Sequence, residues 1–196
     1  QDRIMAEIAE AIRDRRSGAV LAPTGSGKSL FAAGAVEDAL HLRIPILVLH
    51  PDIALLRQNL RQIQRVPAFA HARVSAYIAQ NEGLDHPGFL RNTLETDVAL
   101  ATMMSIVNKL DDPAFIAQLR AFGRRGGCVL IDEGHKTAAD KLGEALGEIA
   151  GADGIGIILT ATPFRTDGRD PLAPFDARVE RDLIAVASYD EVLATG

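Results

Sequence analysis

The 196-residue sequence has no tryptophan, two tyrosines and a single cysteine. Tyr77 and Tyr189 are isolated, so the chain carries no ladder of aromatic faces on which nucleic-acid bases stack. One cysteine cannot close an intramolecular disulfide. Cys128 sits inside the apolar run CVLI and reads as a buried structural thiol, in keeping with a reducing cytoplasm. No apolar run approaches the roughly 18 residues that span a bilayer, so no membrane association is expected. Positive charge is not in excess either. Twenty-one Lys and Arg against 26 Asp and Glu give a net charge of −5, which argues against indiscriminate adhesion to polyanions but leaves room for a local basic track. Internal repeats and low-complexity tracts are absent. The first residue is Gln1 rather than Met, and the sequence is expected to be a fragment of a longer protein.

What is present is the material of one globular domain. Hydrophobic residues make up 47% and charged residues 24%, enough for a sizeable core in a chain of this length. Ile4, Met5, Ile8, Ala11 and Ile12 predict a helix ended by Ser17-Gly18. AVLAP predicts a short buried strand, and Leu30 to Leu42 a helix. IPILVLHP is a second strand. Asp52 is placed to cap the amphipathic helix that follows it. ARVSAYIAQ reads as a third strand, Asn81 to Asn92 as a loop, and DVALATM as a fourth strand leading into a helix. Asp112 and Pro113 start another helix. GCVLID is a fifth strand, TAADKLGEALGEIA a helix and GIGIILTAT a sixth strand. After Pro163 the pattern decays. Near-continuously apolar strands alternating with helices define an α/β fold, with a mostly parallel central sheet covered on both faces. Ligands of such sheets bind beyond the carboxyl ends of the strands.

The distinctive motifs fall at those ends. APTGSGKS, Ala22 to Ser29, fits the phosphate-loop pattern between a strand and a helix, with Ala22 where glycine is commoner. Gly25 and Gly27 permit backbone angles that turn successive N–H groups inward, alongside the amides of Thr24 and Ser26. The helix after them points its partial positive charge at the same place. Lys28 reaches β- and γ-phosphates, and the Ser29 hydroxyl can ligate Mg²⁺. The fifth strand ends on adjacent carboxylates, Asp132 and Glu133. Like charges side by side at the end of an apolar strand either sit at a solvated strand end or call for a cation. A nucleotide with Mg²⁺ supplies one: Asp132 holds the metal, while Glu133 orients and deprotonates the attacking water.

APTGSGKS, DEGH and TATP, in that order on strand ends, resemble the first motor domain of superfamily 2 helicases and translocases. LTATPFRTDG is most similar to the branch containing the type III restriction motor subunits and related DEAD/DEAH-type DNA helicases. The resemblance covers Gln1 to about Arg165. It implies a RecA-like P-loop NTPase, a three-layer sandwich over residues 1–166, with 167–196 a tail toward a second motor domain lying outside this sequence. It also implies ATP and Mg²⁺ as cofactors, and DNA, or else RNA, gripped by its backbone without sequence specificity. Carried over residue by residue, Gln1 looks like the glutamine that reads the adenine edge. His135 joins Lys28, Asp132 and Glu133 in catalysis, as a relay toward Thr160 and Thr162. These two threonines couple the nucleotide site to the nucleic-acid site. Thr102 matches a backbone-contacting position, and a helix cap is its plain structural alternative. His50 and Asp52 depart from the small or hydroxyl residues usual around Pro51. Gly134 stands where Ala or Cys is commoner.

Arg57, Arg61 and Arg65 share one face of a predicted helix, as a phosphate track or as a solvated face. Arg120, Arg124 and Arg125 form a second cluster. The resemblance implies that the second domain supplies arginines to the γ-phosphate, so the fragment alone is expected to be nearly inactive. A P-loop ATPase that uses nucleotide as a switch, without nucleic acid, is the alternative reading.

Overall fold

The computed structural model describes residues 2–77, 87–91, 93–133, 139–161, 170, 172–179 and 181–187. Eight strands form one sheet: β1 (Gly18–Leu21), β2 (Ile46–His50), β3 (Val74–Tyr77), β4 (Phe89–Arg91), β5 (Val98–Thr102), β6 (Cys128–Asp132), β7 (Ile155–Thr160) and β8 (Leu183–Val186). Their order is β4-β3-β5-β2-β6-β7-β1-β8, and every pairing is parallel. The inner strands β2, β6 and β7 are buried along their whole length, which is why their sequences show no polar alternation.

Among the described residues, six α-helices cover the sheet: α1 (Asp2–Arg13), α2 (Lys28–His41), α3 (Ile53–Ile63), α4 (Met103–Val107), α5 (Pro113–Arg124) and α6 (Ala139–Ala150). Two cores divide along the pleat. Ile4, Ile8 and Ile12 of α1, Phe31 and Val36 of α2 and Leu56 of α3 pack with Val48 and Leu130 on one face. Ile106 of α4, Phe115 and Phe122 of α5 and Leu146 of α6 pack with Leu49, Val129 and Ile131 on the other. The result is the expected three-layer sandwich, with α2 leaving β1 to one face and α6 following β6 on the opposite one. Helices α5 and α6 approach closely at Gly123, where a side chain would collide with the Ile149 carbonyl. Among the described residues, no helix is long and apolar enough to cross a membrane.

The helix caps follow local chemistry. The Asp52 carboxylate accepts from Leu55 N at 2.9 Å, and Asp112 does the same for Ala114 N, with Pro113 opening α5. Helix α2 starts at Lys28, two residues before the expected Leu30, because Gly27 in the left-handed region turns the loop straight into it.

Two strands are additions to the six expected. Phe89–Arg91 lies inside the stretch read as a loop. Three residues carry too little periodicity to announce a strand, yet Val74 N donates to Gly88 O and the segment pairs with β3. Leu183–Val186, within the stretch read as a tail, pairs with β1. Leu172, Ala177 and Val179 before it are buried in the second core. Arg3 of α1 donates to Val186 O, tying this edge to the first helix.

Candidate nucleotide site

Register brings the motifs to one level. Leu21 stands opposite Thr160, Leu159 opposite Asp132 and His50 opposite Thr102, so the carboxyl ends of β1, β7, β6, β2 and β5 align along one sheet edge. Ala22 N donates to Thr160 O and Glu133 N to Leu159 O, so both motif loops are pinned to β7 as they leave the sheet. Strand β7 lies between β1 and β6.

The loop after β1 is shaped by Gly25 (φ 84°) and Gly27 (φ 90°), angles that glycine adopts without steric cost. Thr24 and Gly25 are exposed at its tip, whereas Ser26 is buried. Helix α2 begins directly behind, so its first N–H groups, which have no intrahelical acceptor, face the loop. Lys28 folds back over the loop. Its Nζ donates to Ala22 O at 3.2 Å and Pro23 O at 3.3 Å, and lies 3.3 Å from Glu133 Oε1. Both side chains are nearly buried, 10% and 14% exposed, so this pair is only weakly screened.

The adjacent carboxylates have different partners. Glu133 takes a left-handed backbone conformation (φ 52°) and meets Lys28 of α2. Asp132 remains in the strand, 2% exposed, on the face covered by α2 and α3. Its Oδ2 accepts from Asn59 Nδ2 of α3 at 2.7 Å and lies 3.4 Å from His50 Nδ1. Its Oδ1 is buried and has no hydrogen-bond partner among the described residues.

These residues fit a magnesium nucleotide. Asp132 Oδ1 is an orphaned buried carboxylate oxygen, and Ser29 offers a hydroxyl at the first turn of α2. Oxygen donors of this kind suit Mg²⁺, which takes one or two protein ligands together with phosphates and water rather than an all-protein cage. Among the described residues, no group of three or more His, Cys, Asp or Glu side chains is placed to hold a metal ion.

The other expected residues divide. Thr160 is buried at the strand end between the two motif loops. Thr102 caps α4, its hydroxyl accepting from Ser105 N at 3.2 Å. Gln1, His135 and Thr162 lie outside the described residues, as do Gly134, Arg165 and Asp167. Arg57 and Arg61 on α3, and Arg65 in the turn after it, are all exposed. The second basic cluster is partly spoken for: Arg120 pairs with Glu148 of α6, and Arg125 donates to Leu94 O and Thr96 O. His50, which departs from the residues usual before Pro51, is fully buried against Asp132. Asn59 was missed. The available signal was a polar residue on the buried stripe of α3, between Leu56, Leu60 and Ile63.

Residues 1–165 match the family described as ResIII, the type III restriction enzyme res subunit. No curated protein matches the chain. Three solved structures share the fold. The UvsW helicase of bacteriophage T4 is 17% identical with a TM-score of 0.59, over 92% of this chain and 58% of that one. A hypothetical ATP-dependent RNA helicase from Sulfolobus tokodaii is 19% identical with a TM-score of 0.67, over 95% and 52%. The Hef helicase domain of Pyrococcus furiosus is 19% identical with a TM-score of 0.59, over 91% and 36%. The chain therefore spans from about a third to somewhat over half of these structures, and the likeness lies in the RecA-like fold.

Proposed function

Because the chain belongs to the family of type III restriction enzyme res subunits, we propose that it is the ATP-binding half of a nucleic-acid helicase or translocase, with DNA as the expected track. The observation that carries the reading is the contact of Lys28 Nζ with Glu133 Oε1 at 3.3 Å, made between loops that leave two strands separated by β7. A cation and a carboxylate held together in this way can exchange partners when nucleotide enters. Lys28 turns from Glu133 to the β- and γ-phosphate oxygens, alongside the amides of Thr24, Gly25, Ser26 and Gly27. Glu133, released, orients the attacking water and accepts its proton. Ser29 and Asp132 hold Mg²⁺, which neutralises charge on the phosphates. Gln1 reads the adenine edge. His135, Thr160 and Thr162 couple this site to the nucleic-acid track, which Thr102 helps to line. A second motor domain completes the site with arginine, so residues 1–196 alone bind nucleotide weakly and turn it over very slowly.

The test is the ATPase rate of the intact protein, with and without DNA or RNA, across a salt series. The expected result is stimulation that fades with salt and a loss of about 10²-fold or more on Lys28→Ala. Hydrolysis that ignores both nucleic acids would favour a nucleotide switch. Robust turnover by residues 1–196, abolished by Lys28→Ala, would refute the dependence on a second domain.

A further inference from the structure

Four buried side-chain atoms lack a hydrogen-bond partner among the described residues: Ser26 Oγ, His50 Nε2, Asn59 Oδ1 and Asp132 Oδ1. Three of them belong to one cluster, His50, Asn59 and Asp132, whose side chains are all within 3.4 Å of a neighbour in the set. A polar group buried in this way is costly unless something holds it there. Asn59 and His50 are each 0% exposed and Asp132 is 2% exposed. Neither Asn59 nor His50 belongs to the motifs that place the phosphates or the attacking water.

We propose that Asn59, backed by His50, is a positioning residue for the Asp132 carboxylate, holding Oδ2 so that Oδ1 is left to the divalent cation of the nucleotide site. The inference rests on the nucleotide reading above. The geometry carries the assignment. Asn59 Nδ2 donates to Asp132 Oδ2 at 2.7 Å, a short charge-assisted bond, and the same nitrogen lies 3.3 Å from His50 Nδ1. The imidazole thus fixes the carboxamide, and the carboxamide fixes the carboxylate. The arrangement is anchored from two elements, β2 and α3, so the carboxylate cannot rotate without breaking contacts to both. Groups that hold a metal ligand from behind in this manner commonly change metal affinity about 10- to 100-fold when removed. The same two residues also explain why a buried polar side chain sits on the apolar stripe of α3.

The test separates metal from nucleotide. Mn²⁺ binding to the ADP-saturated protein is followed by electron paramagnetic resonance, and ADP binding is measured separately in EDTA. Asn59→Leu is expected to weaken Mn²⁺ binding about 10-fold and to leave metal-free ADP binding within about twofold. His50→Gln should follow with a smaller loss. Unchanged Mn²⁺ affinity overturns the proposal, as does a parallel loss of both affinities, which is what a purely structural role would give. A second measurement needs no variant. In the unaltered protein the Asn59 carboxamide proton resonances should shift when Mg²⁺ is added to the ADP complex, and not when ADP is added in EDTA; no shift overturns the proposal. Asp132→Asn distinguishes the two failures. If it weakens Mn²⁺ binding while Asn59→Leu does not, only the role of Asn59 falls. If neither Asp132→Asn nor the parent shows metal-linked ADP binding, the nucleotide reading falls and takes this one with it.

Discussion

The two edges of the sheet are built by opposite rules. At the amino-terminal edge, polar groups are closed on themselves. Arg73 pairs with Asp97, Arg125 donates to the carbonyls of Leu94 and Thr96, and Arg15 to those of Gly126 and Asp153. Even the cavity there, about 450 Å³ and lined by Arg43, Arg73, Asp97 and Arg125, has its cations engaged in this way at Arg73 and Arg125. At the carboxyl edge, buried polar atoms are left open: Ser26 Oγ, His50 Nε2 and Asp132 Oδ1, with Asn59 Oδ1 behind them. The difference is satisfaction. One edge is finished as it stands, and at the other these atoms have no hydrogen-bond partner among the described residues.

That contrast can be broken most decisively at Glu133. In the intact protein Glu133→Gln should lower steady-state hydrolysis about 10²- to 10⁴-fold, with nucleotide binding retained and the melting temperature little changed. A collapse in stability with hydrolysis intact would make the carboxyl edge structural after all. Next, Arg125→Ala strips two carbonyls of their donor. It should cost about 1–2 kcal/mol in denaturant unfolding and leave the ATPase untouched; an activity loss at equal stability would join the two edges functionally. The smallest effect is expected at Asp97. Burial pushes its carboxyl up, but the hydrogen bonds and charge of Arg73 outweigh this and hold it below its ordinary 3.8. A depressed acid stabilises the fold above that value and stops doing so as the pH falls through the folded-state value. Asp97→Ala should therefore cost at most about 1 kcal/mol near pH 7, with the gap to the parent closing below pH 3.8 in acid titrations of unfolding.

Much of the fold was legible because parallel strands buried on both faces leave short apolar runs, and because capping uses a few residue types. The strands ending at Leu21, His50, Thr102, Asp132 and Thr160 were visible in this way, as were the caps Asp52 and Asp112. Strand β4 was hidden by its three-residue length, and β8 by partial exposure at a sheet edge. At the site, spacing announced Gly25, Gly27 and Lys28, since a phosphate loop is contiguous. The sequence divided Asp132 from Glu133 by role, but not by partner, because the contacts to Asn59 and to Lys28 depend on a left-handed turn at Glu133. Asn59 was invisible for another reason. It lies 73 residues from Asp132, and no local pattern links a helix stripe to a strand end.

Cys128 occupies the first position of β6, between β2 and β7, and is 0% exposed. Burial pushes its thiol up to about 12, so the reactive thiolate is scarce at neutral pH and the sulfur is out of reach. A thiol reagent can modify it only after the centre of the sheet has come apart. The lone cysteine is thus a built-in clock for global opening, set in a central strand at the finished edge, away from the unfinished one. Its alkylation rate with and without nucleotide would report how far occupancy of one edge slows the unfolding of the whole sheet.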